Sequence, residues 1–334
     1  MELHRARLSP DFKEIHRWLG GLEGPVAVVY EAGPTGFGLA RFLASVGISC
    51  LVAAPSKLAR PSGDRVKTDA RDALHLARLL RMGEITAVTV PSEAQEAARD
   101  LVRARDDSRG DLMRDRHRIS KLLLRHGIVY SGGRAWTGVH EQWLRTQRFD
   151  ASAVQLAFDS SLEAMLLTAD RRDRLDVMIE AMAADSEFTE VVNRLCCLRG
   201  ISTLTGFGLA VEVGDWSRFT GSTIGSFLGL VPTERSSGAS RSQGSITKTG
   251  NTHARRLLVE AAWHHQRDYR TPGKTMRARW DKAPAAARVR GHEGNQRLHA
   301  RWQLFQQRKK RPVIANVAIA RELAGWCWSL AMIE

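Results

Sequence analysis

Apolar and polar positions divide the chain into stretches of different period. Val26 to Tyr30 is a continuous apolar run that ends at Glu31, and Gly33, Pro34 and Gly36 then supply a turn. Residues 37–46 read as a helix closed by Gly47, a natural C-cap. Ile48 to Ala54 is a second apolar run. Strand, helix and strand at this spacing predict a βαβ unit with parallel strands. Residues 55–66 form a basic loop. Asp69 to Arg81 is a further helix, with Ala73, Leu76, Ala77 and Leu80 at helical spacing. From about Ser92 to His126 the pattern is helical and arginine-rich, longer than most globular helices, which predicts a coiled coil or a strut. More helices follow to about Asn193, then one from about His253 to Tyr269 and a basic helical C-terminal region. No internal repeat is present.

The carboxylates take their interest from these elements. Glu31 stands at the carboxyl end of a buried parallel strand, the edge where functional groups of an open α/β sheet collect. Asp69 and Asp72 are one helical turn apart, and their spacing from Leu76 and Leu80 predicts an inward-facing pair. Converging acids suit Mg2+, which takes oxygen ligands and shares them with phosphate. Read singly, each has a plainer role: Asp69 as an N-cap or first-turn acid, Asp72 as a partner of Lys67 or Arg71, and Glu31 as a loop anchor.

Charge adds a polyanion to the picture. The net charge is +14. Residues 235–311 hold 19 Lys and Arg against 4 Asp and Glu, and the remainder holds 31 against 32. A field confined to one stretch attracts nucleic acid, with an anionic membrane surface or a solubility face as the alternatives. Cys50, Cys196, Cys197 and Cys327 lack metal-ligand spacing and read as small buried residues of a reducing compartment. Without a signal-like segment or a run of about 20 apolar residues, a cytoplasmic protein with no membrane partner is expected.

Two further segments carry candidate chemistry. Leu198 to Gly206 is a glycine-bounded turn between helices, like a helix-hairpin-helix, and the amides at Gly200 and Gly206 could hold a backbone phosphate. Residues 236–251 read as a Ser/Gly-rich loop. Here Arg235, Arg241, Lys248, Arg255 and Arg256 could neutralise phosphoryl charge, and a serine could attack a phosphodiester. A flexible surface loop has the same composition.

Several of these segments resemble one family. They are Val29-Tyr30-Glu31-Ala32-Gly33-Pro34-Thr35-Gly36, Lys67-Thr68-Asp69-Ala70-Arg71-Asp72-Ala73, Phe227-Leu228-Gly229-Leu230-Val231-Pro232, Arg235-Ser236-Ser237-Gly238, Ile246-Thr247-Lys248-Thr249-Gly250-Asn251 and Ala318 to Trp326. Together they are similar to the DEDD/serine transposases of the insertion-sequence-110 family, subgroup 1111, also called bridge-RNA-guided recombinases. The resemblance implies an α/β plus α protein. Its parts would be a RuvC-like (RNase H fold) domain over residues 1–91, a helical coiled-coil region over 92–194 and a mostly helical C-terminal transposase domain over 195–334. It implies Mg2+, donor and target DNA, a non-coding guide RNA and a homodimer or homotetramer. By motif match Glu31, Asp69 and Asp72 are the last three acids of the quartet and the metal ligands. Ser237 matches the nucleophile, with Ser236 as the alternative. The first acid of the family lies upstream of this Glu. Glu2 to Leu8 looks like the third strand, so an N-terminally truncated domain lacking its first two strands and first Asp is expected; Asp11 and Glu14 do not stand in a matching context.

Three functions follow for comparison. An active recombinase would exchange DNA strands through a serine–DNA bond. A catalytically incomplete remnant would bind DNA and RNA without an adduct. A metal-dependent junction nuclease would cut with water and leave the serine segment unexplained.

Overall fold

The protein is represented by a computed structural model that describes residues 4–58, 68–237 and 240–333, with the side chains of 235–241 outside the description. The chain divides into two compact units, residues 1–93 and 94–334.

In the first unit, helix α1 (Phe12–Gly20) starts at Asp11, whose side chain accepts from the Glu14 amide at 2.8 Å. Strand β1 (Ala27–Glu31) pairs in parallel with β2 (Ser49–Ala53), from Ala27 opposite Ser49 to Glu31 opposite Ala53, and α2 (Gly38–Ser45) connects them. This is the βαβ unit that the apolar runs predict. Residues 86–88 then run beside β2, with Ala54 N–H donating to Thr86 O and Val88 N–H to Val52 O. Residues 4–8 form no strand, contrary to the expectation for this segment. A strand exists only through a partner ladder, and among the described residues none pairs with them; α1 is the first regular element instead.

Helix α3 (Asp69–Met82) is capped by Thr68 and closes on Gly83 in the left-handed region. It packs on β1. Its buried residues are Leu76 and Leu79, while Ala73 and Ala77 are exposed. The apolar stripe is therefore rotated from the expected one: it runs through 72, 76 and 79, and starting it at Asp69 was wrong.

The second unit is helical apart from one hairpin. Helix α4 (Glu93–Arg125) and α6 (Ser152–Ala184) are each 33 residues, about 50 Å long. They are joined through α5 (Gly138–Thr146). Ala98 and Val102 meet Ile179 and Ala183, whereas Leu112, Ile119 and Leu122 meet Phe158, Leu162 and Met165, so the two run antiparallel. Buried positions 98 and 102, and then 108, 112, 115, 119 and 122, of α4 keep the three-four spacing of a coiled-coil seam within each group. Across it Arg105 pairs with Asp176, Arg171 with Asp111, and Thr168 Oγ1 donates to Asp115. Arg105 and Arg171 thus tie helix to helix, whereas Arg109, Arg114 and Arg118 pair with acids of α4 itself.

The rest comprises α7 (Thr189–Leu195), α8 (Thr203–Val213), α9 (Ile224–Phe227), β3 (Pro232–Ser237), β4 (Ser240–Ile246), α10 (Thr252–Ala262), α11 (Lys274–Trp280), α12 (Ala285–Gln307) and α13 (Pro312–Ala331). The expected helix at 253–269 ends earlier, at Ala262, and continues as a tight 3-10 turn, Trp263–Gln266. One core joins α7, α8, α10, α12 and α13 through Leu195, Leu209, Leu258, Leu298, Trp302, Ile319 and Leu323. Gly291 and Gly294 let α12 approach Cys197, Leu198 and Trp326, where a Cβ would lie 2.5 to 3.0 Å from its neighbours. Cys196, Cys197 and Cys327 are buried free thiols, and burial pushes Cys196 up to about 11 and Cys197 up to about 12. Among the described residues no helix is long and apolar enough to cross a membrane.

Candidate functional site

The carboxylates lie in the first unit. Glu31 is the last residue of β1 and half-buried. Asp69 and Asp72 occupy the first turn of α3, where acids oppose the helix dipole favourably. Asp72 is half-buried, but Asp69 is exposed, which corrects the inward-facing pair to a single inward residue. Oxygen ligands of this kind have the right chemistry for a hard cation. The arrangement does not complete a shell: among the described residues, no three His, Cys, Asp or Glu side chains come close enough to hold a metal ion.

The serine segment lies in the second unit and is a β-hairpin, not the open loop expected. Strand β3 pairs antiparallel with β4, with Pro232 opposite Ile246, Arg235 opposite Ser242, Ser236 opposite Arg241 and Ser237 opposite Ser240. Register places Ser237 at the tip end of β3, although the side chains of Arg235, Ser236, Ser237 and Arg241 lie outside the described residues, as do Gly238 and Ala239. The hairpin is illegible in the sequence because its strands are polar between Pro232 and Ile246 and lack the alternation by which a half-buried strand is read.

The hairpin base is rigid for reasons that can be traced residue by residue. Thr247 N–H donates to Val231 O and Lys248 N–H to Gly229 O. Gly229 has φ +64°, and a Cβ there would lie 2.2 Å from Thr249 O; Gly250 has φ +69°, and a Cβ there would lie 1.9 Å from Phe227 O. Only glycine allows the two chains to cross so closely. Arg255 donates from Nη1 to Leu228 O at 3.0 Å and Thr249 O at 2.8 Å. Asn251 caps α10 by accepting from Ala254 N–H, and its Nδ2 donates to Glu212. Lys248 is exposed with φ +56°.

Glu212, which no motif in the sequence marks, anchors this base. Its side chain is fully buried. It receives Arg103 through two bonds of 3.1 and 3.0 Å, Asn251 Nδ2 at 2.6 Å, and contacts His253 Nδ1 at 3.1 Å. Burial alone would raise the carboxyl, but the bonds from His253, Arg103 and Asn251 overcome it and hold the pKa at about 2. Arg99 and Gln95 donate to Val211 O, and Arg99 also to Glu212 O, so α4 side chains close the carbonyl end of α8. A lone acid inside the apolar run 207–213 was the sequence signal for it.

Other expected phosphate ligands are engaged with the protein. Arg256 pairs with Asp106 at 2.6 Å and Glu260 at 2.9 Å. Arg255 holds carbonyls, as above. In the helix–turn–helix at 195–203, the amides of Cys197, Leu198 and Ile201 bond to backbone carbonyls, and Arg199 N–H donates to Asn295 Oδ1 at 2.8 Å. Gly200 has φ +80° and stands against α10, where a Cβ would lie 2.3 Å from Ala261 O. Gly206 is buried within α8 and its amide donates to Ser202 O, so it does not present an amide to a phosphate.

Comparison with known proteins places both units. Residues 4–128 match the IS110-type DEDD transposase domain, and residues 192–279 match the domain described as Transposase IS116/IS110/IS902 family. DEDD transposase domains typically work with a divalent metal. The chain is 41% identical over 306 residues to the putative transposase y4qE of Sinorhizobium fredii (strain NBRC 101917 / NGR234), covering 90% of this chain and 74% of that one. It is 33% identical over 289 residues to the transposase for insertion sequence element IS1533 of Leptospira borgpetersenii, covering 84% and 82%. With a DEDD domain ahead of a serine-bearing hairpin, and relatives alike over most of their length, the chain belongs to the IS116/IS110/IS902 family of transposases, enzymes that cleave and recombine DNA to move insertion sequences.

Proposed function

We propose that this transposase cuts and exchanges DNA strands through Ser237, with Glu31, Asp69 and Asp72 as the acids of the DEDD domain and Mg2+ as their cation. The observation that carries the reading is the hairpin: Ser237 ends a strand whose base is fixed by Gly229, Gly250, Arg255 and the buried Glu212. A nucleophile gains most when its mounting is rigid. In the cutting step the Ser237 hydroxyl loses its proton and its oxygen bonds to phosphorus. The phosphorus–oxygen bond to one deoxyribose breaks, and that oxygen takes up a proton. Attack by the hydroxyl of a second strand reverses these changes, so one phosphodiester replaces another without an energy source. Arg235, Arg241 and Lys248 are the hairpin cations that would offset the extra phosphoryl charge.

The wider assembly belongs to the same proposal: RuvC-like architecture for the first unit, a division near residues 91 and 194, a non-coding guide RNA of the subgroup 1111 type, and a homodimer or homotetramer. Its support is the motif resemblance together with the family.

The test is a denaturing gel with labelled DNA carrying the element's ends and Mg2+. A DNA-linked band is expected from the native chain and from Ser236→Ala, and none from Ser237→Ala. The reverse pattern would move the nucleophile to Ser236. No band from any of the three would favour the second reading, a DNA- and RNA-binding remnant, to which the exposed Asp69 and the lack of a metal-holding group among the described residues lend support.

A further inference from the structure

A groove lies between the turn at 220–225 and helices α12 and α13. It encloses about 560 Å³, and its walls include Gly221, Gly225, Arg290, Arg321, Trp326 and Trp328. That volume is too large for a lone ion and ample for a nucleotide. Small residues create it: a Cβ on Gly221 would meet the Trp328 ring at 3.4 Å, and one on Gly225 would meet Arg321 Cγ at 3.3 Å.

Its chemistry is mixed in a specific way. Arg290 is fixed, with Cζ 4.2 Å over the Trp326 ring, Nε donating to Ser329 Oγ at 2.8 Å and Nη1 paired with Glu293 at 3.1 Å on the exposed side. The one acid of the lining, Glu322, is doubly compensated by Arg297 at 3.1 Å and Arg301 at 2.9 Å. Arg321 is exposed and makes no ion pair among the described residues. The groove thus offers an unpaired guanidinium, a second one held in place and partly compensated by Glu293, and two partly exposed indoles. Cations suit a phosphate, and flat apolar surfaces suit a base.

We propose that this groove binds an unpaired stretch of the DNA substrate, with phosphate at Arg321 and Arg290 and a base against the tryptophans. A duplex keeps its bases stacked inside and could use only the cations, whereas a strand separated during cleavage and exchange can use both. The inference rests on the family's action on DNA and not on Ser237, so a failed adduct test leaves it standing.

The experiment measures binding of labelled oligothymidylate, of a blunt duplex and of oligouridylate to the full chain by fluorescence anisotropy. Arg321→Gln keeps the Cβ and Cγ that pack on Gly225. Ser222→Asp places a negative charge on the exposed rim without touching the core. Arg308→Gln, an exposed position outside the groove, makes the same charge change as the first. Both groove variants are expected to weaken oligothymidylate binding roughly tenfold. Arg308→Gln should change it less than about twofold, and on the duplex all three should behave alike. The salt slope for the single strand should shrink by about 0.7 in Arg321→Gln. Groove variants that match Arg308→Gln on the single strand overturn the proposal, as does an equal loss on duplex. Oligouridylate binding tenfold tighter than oligothymidylate would assign the groove to RNA and overturn the DNA occupant. Displacement by polyglutamate as effective as by oligothymidylate would reduce it to a general anion site.

Discussion

Glu212 couples three elements through one carboxylate, since its partners come from α4, from the cap of α10 and from α10 itself. Its folded pKa, about 2, lies below the ordinary value of 4.5. The stabilisation is therefore complete above about pH 5 and is lost as pH falls through the interval between those values. A shift of that size corresponds to about 3 kcal/mol. Glu212→Gln is expected to cost about that much at pH 7 in urea unfolding, and the gap from the native chain should close as pH is lowered toward 2. Parallel stability curves across that range would sink the assignment. Arg255 and Arg256 invite a matching test. Because Arg255 holds Leu228 and Thr249 carbonyls and Arg256 pairs with Asp106 and Glu260, Arg255→Gln and Arg256→Gln should lower stability by about 1 to 3 kcal/mol. The salt slope of DNA binding should stay unchanged in both; a slope reduced by about 0.9 in either would restore it as a phosphate ligand. Sequence alone could list these cations but not their partners, which lie up to 150 positions away along the chain.

At the scale of elements, what could be read was what repeats. β1, α2, β2 and α4 are legible because their apolar residues follow one period without interruption. The phase of α3 was misread, since alanines at 73 and 77 continue the pattern toward Asp69 while the strand it covers selects Leu76 and Leu79. The β3–β4 hairpin escaped because its stability comes from the crossing of residues 227–229 with 249–251 and not from a buried face. The paired helices α4 and α6 carry their own prediction. Their outer half is held by a cluster separate from the main core, built on Leu112, Ile119, Phe158 and Leu162. Ile119→Ala should cost about 2 to 5 kcal/mol locally. Hydrogen exchange should then quicken in residues 112–165 while α12 and α13 keep their protection. Uniform acceleration through both regions would mean that the two clusters open as one.

Across the whole molecule, charge is the property that sequence states most directly and structure most revises. The stretch 235–311 carries 19 cations, but Arg255, Arg256, Arg297 and Arg301 are bonded to neighbouring groups, so only part of the excess is available to phosphate. Each DNA phosphate neutralised steepens the fall of log affinity with log salt by about 0.9. Full engagement of all those cations would give a slope near −17, whereas six to ten contacts give about −5 to −9 and a loss of roughly 10³ to 10⁵ between 50 and 200 mM salt. The shallower range is expected for duplex DNA, measured by titration of the full chain at four or more salt concentrations. A slope near zero would remove electrostatics as the source of affinity and with it the nucleic-acid reading of the basic region. A slope beyond −12 or so would mean that DNA displaces the internal partners, and the bonds to Asp106, Glu260 and Glu322 would then have to open on binding.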